Sequence, residues 1–175
     1  MTMTEAFIQL KAFARQDGAI LALVWTASFI ALMMSPETSW GNLLALASPF
    51  AVGWRLGRFR DDALDGVISF RRGLAYSWYT FFYASLLFAV VQYLYFRYIG
   101  QGAINTLFAE AAQQMRAVYQ TQGFSDQQFA QATDIMTNLK PIQLAFLFLI
   151  QNLMFGSILS IPIAAIGMKR VRTAR

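Results

Sequence analysis

Long apolar runs alternate with short polar segments along this chain of 175 residues. Four runs are predicted to be transmembrane helices, and they cover residues 18–34, 40–55, 74–99 and 142–168. A helix of about 20 apolar residues is long enough to cross the hydrocarbon core of a bilayer. The pattern therefore predicts an all-α, polytopic integral membrane protein in which residues 1–175 form a single membrane domain.

The first two runs leave some choices open. Residues 2–16 have an amphipathic pattern that fits either a helix lying on the inner leaflet or the first turns of the first span. The second run is short and contains Pro49, which is expected to kink its helix. No charged residue falls deep within the four predicted cores. A charge-relay pump is therefore not expected, because such pumps place ionisable side chains inside the membrane.

The segment between the third and fourth runs, residues 100–140, is polar and rich in glutamine, yet its apolar residues recur every three or four positions. This period is typical of amphipathic helices. Gly123 is predicted to separate two such helices, and Ser125 with Gln128 forms a capping box at the start of the second. We expect this insert to lie outside the cytoplasm, with its apolar faces on each other, on the bundle or on the membrane surface.

Basic residues indicate how the protein is oriented. Two lie before the first span, five in a predicted loop over residues 55–73, and four in the C-terminal tail, so one side carries eleven of the 14 lysines and arginines. Cytoplasmic segments of membrane proteins are enriched in lysine and arginine. The distribution predicts a multi-pass protein of the bacterial inner membrane, with the loop and both termini in the cytoplasm.

Composition limits the chemistry that the chain can perform. It is 57% hydrophobic, 13% charged, and contains no histidine and no cysteine. The usual general base and the thiolate metal ligand are therefore missing. Asp61, Asp62 and Asp65 lack the spacing of a calcium-binding loop and are predicted to pair with nearby arginines. We predict no catalytic residue, cofactor or metal, no enzyme activity and no nucleic-acid partner.

Two groups of residues are candidates for contacts between helices. Gly156, Ser160 and Ala164 recur at a spacing of four in the last span, which permits close approach of another helix, within the monomer or in a homodimer. Amide side chains within the spans are predicted to make intramembrane polar contacts, chiefly hydrogen-bonded packing contacts. These amides are Gln92, Gln151 and Asn152.

A third group of candidates is basic and lies on the predicted cytoplasmic side. It could dock a soluble protein or contact anionic lipid, since a lysine or arginine near an acidic membrane surface contributes on the order of 1 kcal/mol. The residues of this group are Arg55, Arg58, Arg60, Arg71, Arg72, Lys169 and Arg170.

Three stretches carry a resemblance that extends over roughly the whole chain. Residues 68–75 (ISFRRGLA) lead into the aromatic span, residues 122–129 (QGFSDQQF) precede the helix that ends in Asp134-Ile135-Met136, and the last span runs into Lys169-Arg170. In these stretches the chain resembles domain-of-unknown-function family 4199, a family of small bacterial membrane proteins. The resemblance implies four spans with an outer helical insert and no assigned catalytic residues. It also implies a gene neighbourhood with glycosyltransferases that use lipid-linked sugars.

Two functions are compatible with these observations. The first is a non-enzymatic membrane partner or scaffold, favoured by the missing catalytic residues and by the small-residue stripe. The alternative is a lipid-handling carrier or flippase-like helper for lipid-linked sugars, in which the aromatic third span lines a groove. The expected partners are membrane lipids and either a membrane-associated protein or a second copy of the chain.

Overall fold

The computed structural model describes residues 3–35, 39–100, 112–116, 118, 120–121, 123 and 125–169. This part of the chain is helical apart from its connections and one isolated backbone bridge. Residues 112–116, 118 and 120–121 are also helical. The principal helices are α1 (Met3–Met34), α2 (Trp40–Leu46), α3 (Ser48–Ala63), α4 (Phe70–Tyr98), α5 (Asp126–Thr137) and α6 (Pro141–Gly167).

Within the described residues, three helices are long and apolar enough to cross a membrane, and they are α1, α4 and α6. They confirm the all-helical membrane class and correspond to the first, third and fourth predicted spans. The 32 residues of α1 form one continuous helix, which is about 48 Å long at a rise of 1.5 Å per residue. From Met3 onwards, the amphipathic N-terminal segment is therefore the beginning of the first span's helix.

The second predicted span is divided between two helices. α2 ends at Leu46 and α3 begins at Ser48, so the helix is interrupted just before Pro49. Pro49 lies in the first turn of α3, where a backbone N–H would have no partner within the helix. The predicted kink at Pro49 therefore corresponds to a one-residue break at Ala47, which keeps right-handed helical φ and ψ angles of −71° and −15°. Neither α2 nor α3 is by itself a candidate span, and the fourth crossing stays a prediction.

α2 and α3 together run back along α1. Near the end of α1, the Ser28 hydroxyl donates a hydrogen bond of 2.7 Å to the carbonyl of Gly41. One turn earlier in α1, Trp25 Nε1 donates to Ser48 Oγ, also at 2.7 Å. The contact earlier in α1 is thus made by the residue later in the chain, so α2 and α3 run antiparallel to α1.

The connection between α3 and α4 is much shorter than the basic loop predicted over residues 55–73. α3 continues to Ala63 and α4 begins at Phe70, so Arg55, Arg58 and Arg60 are helical, as are Arg71 and Arg72. Arginine has a high helix propensity, and α3 continues through Gly57 and ends two positions before Asp65. The turn itself is formed by Asp65 and Gly66. These two residues reverse the chain with φ angles of 52° and 77°. The N–H of Arg72 then donates to Ser69 Oγ at 3.3 Å, which makes Ser69 a helix cap.

Contacts divide the chain into two compact units, Met1–Phe88 with Leu149–Arg175, and Ala89–Phe148. In the first unit, the small residues of α6 lie against α4. A Cβ built on Gly156 would be 2.6 Å from Phe81 Cβ, and one built on Gly73 would be 3.6 Å from Ala164. The contact later in α6 is made by the residue earlier in α4, so these two helices are antiparallel. Ser160, between the two contacts, is fully buried.

The second unit contains α5 and the ends of α4 and α6 that adjoin it in sequence. The capping box forms as predicted: the N–H of Gln128 donates to Ser125 Oγ at 3.3 Å, and the N–H of Ser125 donates to Gln128 Oε1 at 3.0 Å. Gly123 has a φ of 86°, which favours glycine. Ile135 on α5 is exposed, and much of the predicted first insert helix lies outside the described residues.

Candidate functional site

A carboxylate buried among three helices is the main polar feature of the first unit. Asp17 of α1 has a side chain that is only 2% exposed. The Nε of Arg55, from α3, donates to Asp17 Oδ1 at 2.6 Å, and Arg55 Nη2 contacts the same oxygen. The hydroxyl of Tyr76, from α4, donates to Asp17 Oδ2. Both carboxylate oxygens are thus satisfied, as burial of a charge requires.

Aromatic rings extend this cluster towards the beginning of α4. The ring of Phe59 is stacked on that of Tyr76 with centroids 4.7 Å apart. On α1, Phe13 contacts Phe59 at a centroid distance of 5.1 Å. The guanidinium carbon of Arg72 lies 5.9 Å from the centroid of Phe59. Side chains in contact therefore connect the buried carboxylate of Asp17 to Arg72.

The sequence pattern did not predict the burial of Asp17. This residue precedes the first apolar run by one position and was therefore placed outside the span. In the structure, α1 is a single helix that includes Asp17 within a candidate span. Its partners are 38 and 59 residues away in sequence, so a local pattern contains no sign of the contact. The available signal was an acidic residue at the N-terminal end of the first apolar run and a basic residue at the C-terminal end of the second, two ends that meet when the runs are antiparallel.

A cleft lies between the first turns of α1 and α4. It has a volume of about 570 Å³. Its wall is mainly apolar, with Ala6, Phe7 and Leu10 from α1 and Ala75 from α4, while Arg71 and Arg72 are also part of its lining. The cleft therefore joins an apolar surface to two guanidinium groups.

The other arginines of this region are paired with aspartates. Arg60 Nε donates to Asp61 Oδ1 at 2.7 Å, and Arg58 lies 3.9 Å from Asp62. The hydrogen bond from Arg60 holds the pKa of Asp61 below its usual value. These two local pairs agree with the predicted ion pairing. Together with the pair Arg55–Asp17, which was not predicted, they leave fewer free cations than the sequence suggested.

Arg71 and Arg72 differ from those three arginines. Among the described residues, neither of them pairs with a carboxylate. Arg71 is exposed. Arg72 Nη2 donates to the neutral Oε1 of Gln9 at 3.3 Å, while its buried Nε has no hydrogen-bond acceptor among the residues that the structure describes. Arg72 therefore has donor capacity and positive charge that the described part of the protein does not satisfy.

Other cations lie in the same unit. Lys11 Nζ is 4.6 Å from the ring centroid of Phe7, which belongs to the cleft wall. Lys169 is exposed, and its backbone pairs with Ile68 through hydrogen bonds of 3.0 and 3.1 Å. This bridge joins the end of α6 to the connection before α4. Arg170, the last member of the predicted basic group, lies outside the described residues.

The predicted amide contacts have different surroundings. Gln92, in the second unit, is buried, and its Oε1 has no hydrogen-bond partner in the described part of the chain. On α6, Gln151 is exposed and Asn152 is half-buried. Neither of the α6 amides is hydrogen-bonded to a described residue.

One comparison with known proteins gives a match. The family model described as "Protein of unknown function (DUF4199)" matches residues 16–169, which confirms the resemblance found in the sequence. Comparisons with curated proteins and with solved structures find no match. The matched range includes Asp17 with both of its partners and the two arginines of the cleft, while the α1 wall of the cleft precedes it.

Proposed function

Since the chain belongs to the DUF4199 family of unknown function, we propose its role from the geometry of the cleft. It is a non-enzymatic membrane protein that binds a phosphate-bearing lipid of the cytoplasmic leaflet between the first turns of α1 and α4. The observation that carries this proposal is the pair Arg71 and Arg72. Both line a mainly apolar cleft, and neither pairs with a carboxylate among the described residues.

The chemistry of the cleft matches that of an anionic lipid. A guanidinium presents several donors in a planar fork, and this arrangement suits phosphate oxygens. The apolar wall formed by Phe7, Leu10 and Ala75 offers a surface for the acyl or prenyl chain. A soluble anion would use the arginines and leave this wall in water. A lipid uses both parts.

The proposal includes four crossings with both termini in the cytoplasm. The antiparallel course of α2 and α3 along α1 supports it. The two hydrogen bonds and the Asp17–Arg55 pair extend from Ser28 to Asp17 on α1, which is about 17 Å at 1.5 Å per residue and about half the thickness of the hydrocarbon core. The concentration of lysine and arginine around the cleft supports the cytoplasmic assignment.

Lipid binding can be tested with the purified protein by native mass spectrometry. We expect phosphatidylglycerol to remain bound in preference to phosphatidylcholine. Arg72→Gln should weaken phosphatidylglycerol binding about tenfold or more, because a hydrogen bond to a charged group contributes roughly 1.5–3 kcal/mol. Arg58→Gln is the matched control, since it removes one charge from an exposed α3 position outside the cleft.

Two results would contradict the proposal. One is equal retention of phosphatidylglycerol by wild type and Arg72→Gln. The other is an equal loss in Arg72→Gln and Arg58→Gln, which would show that only net charge matters and that the cleft is not a binding site.

The predicted scaffold role requires a different use of the same face. A docking surface made of the whole basic group is less well supported than a lipid site, because Arg55, Arg58 and Arg60 pair with aspartates. Protein docking through Arg71 and Lys169, and the transport of a lipid-linked sugar after binding, both stay predictions.

A further inference from the structure

Gln151 has an unusual position for an amide side chain. It lies near the middle of α6, ten residues after Pro141 and sixteen before Gly167. At a rise of 1.5 Å per residue, it is about 15 Å from the nearer end of the helix. The side chain is exposed and is hydrogen-bonded to no described residue. Hydrocarbon cannot satisfy an amide, so such a group needs a partner.

The face that carries Gln151 is not the face that packs in the monomer. Gly156 and Ser160 are buried, with Gly156 against Phe81 of α4. Gln151 precedes Ser160 by nine positions, which at 100° per residue places it about 180° around the helix. The outward face continues with Phe155 and Ile158, which are 57% and 60% exposed.

A shallow hollow lies beside this outward face. Its volume is about 400 Å³, and it is lined by Ile150, Leu153, Met154, Ser157 and Ile158. On a helical projection, the hollow lies on one side of Gln151 and the exposed ring of Phe155 lies on the other. A ring and a hollow on opposite sides of the same face, at the same depth, can be complementary to themselves.

We propose that α6 binds a second copy of the chain through this face. Two-fold rotation about an axis along the membrane normal brings each Gln151 to the other, and each Phe155 to the hollow of the partner copy. An amide is both donor and acceptor, so two identical amides satisfy one another. The half-buried amide of Asn152 lies beside this contact. A single lipid chain offers no such hydrogen bond.

Disulfide cross-linking in membranes tests the contact directly. The sequence contains no cysteine, so a single introduced cysteine gives an unambiguous product. Gln151→Cys should form a disulfide dimer on mild oxidation, because the two-fold axis brings the two Cα atoms within the roughly 7 Å that a disulfide spans.

The matched control is Leu86→Cys on α4. Gly156 lies against Phe81 and the helices are antiparallel, so position 86 lies at the depth of position 151. Leu86 is also exposed, at 40%. Its cysteine variant should give only collisional cross-linking. Equal cross-linking of the two variants would overturn the proposal.

A second experiment tests the amide in the chain without cysteines. Dissociation constants measured by energy transfer between labelled copies in vesicles should rise about tenfold for Gln151→Leu. Gln151→Asn should recover part of the loss, since it retains a donor and an acceptor. Leucine is compatible with a lipid-facing helix, and circular dichroism checks that the fold is kept. An unchanged dissociation constant for Gln151→Leu would overturn the role of the amide.

Discussion

Replacing Asp17 by asparagine tests whether the buried ion pair holds the first unit together. The substitution retains the size of the side chain and removes its charge. Arg55 then loses the carboxylate to which its Nε donates a hydrogen bond of 2.6 Å. Tyr76 keeps an acceptor, because the asparagine carbonyl oxygen can replace one carboxylate oxygen. The main effect is therefore an unpaired guanidinium between α1 and α3.

The exposures of the two partners set the expected magnitude. Removing one member of a buried pair lowers stability by roughly 3–5 kcal/mol, because the remaining charge has no counterion. The Asp17 side chain is 2% exposed, but that of Arg55 is 24% exposed. Water can reach part of the guanidinium, so we expect a loss at the lower end, about 3 kcal/mol. The exposed pair Arg58–Asp62 provides the comparison, and Asp62→Asn should change stability by less than about 0.5 kcal/mol.

The measurement is reversible unfolding in mixed micelles, followed by circular dichroism as the denaturing detergent is increased. The double variant Asp17→Asn with Arg55→Gln should be less damaged than the sum of the single variants, because it leaves no charge unpaired. If Asp17→Asn is as stable as Asp62→Asn, or if the two single effects add, the pair does not stabilise the fold and the reasoning fails.

Two further predictions follow from the packing and the topology. Gly156→Leu should lower the unfolding free energy by about 1–3 kcal/mol through overpacking, because even a Cβ at this position would be 2.6 Å from Phe81 Cβ. Ile166→Leu, at a position of the same helix that is 86% exposed, should be nearly silent. Equal unfolding curves for the two variants would show that the stripe does not pack as described. In intact cells, a cysteine at Ser35 should react with a membrane-impermeant thiol reagent and one at Asp62 should not. The reverse pattern would invert the orientation.

The sequence was most informative where structure depends on local patterns. α1, α4 and α6 follow from the length and hydropathy of their apolar runs, because a bilayer requires about 20 apolar residues in succession. The caps at Ser69 and Ser125 follow from hydrogen bonds that join residues three positions apart. In each case the residues that determine the feature are neighbours in the chain.

Prediction was poorer where partners are distant in sequence. The five arginines of residues 55–73 look alike in sequence, yet Arg55 is tied to a carboxylate 38 residues away while Arg72 has no acidic partner among the described residues. The cleft itself requires α1 and α4 to be adjacent, and no local pattern specifies that adjacency. The proline was expected to disturb its helix, but the pattern gave no sign that the break falls at Ala47 and leaves a short helix before it.

The ion pair and the cleft are connected through Phe59, and this connection gives the Asp17 variant a second use. Arg55 and Phe59 lie four residues apart on α3, so they share one face of the helix. Arg55 fixes that face on Asp17, while Phe59 stacks on Tyr76 and supports the guanidinium of Arg72. Asp17→Asn should therefore weaken phosphatidylglycerol binding although Asp17 is not part of the cleft lining. A variant that unfolds more easily but binds lipid as tightly as wild type would show that Arg72 is positioned by α4 alone.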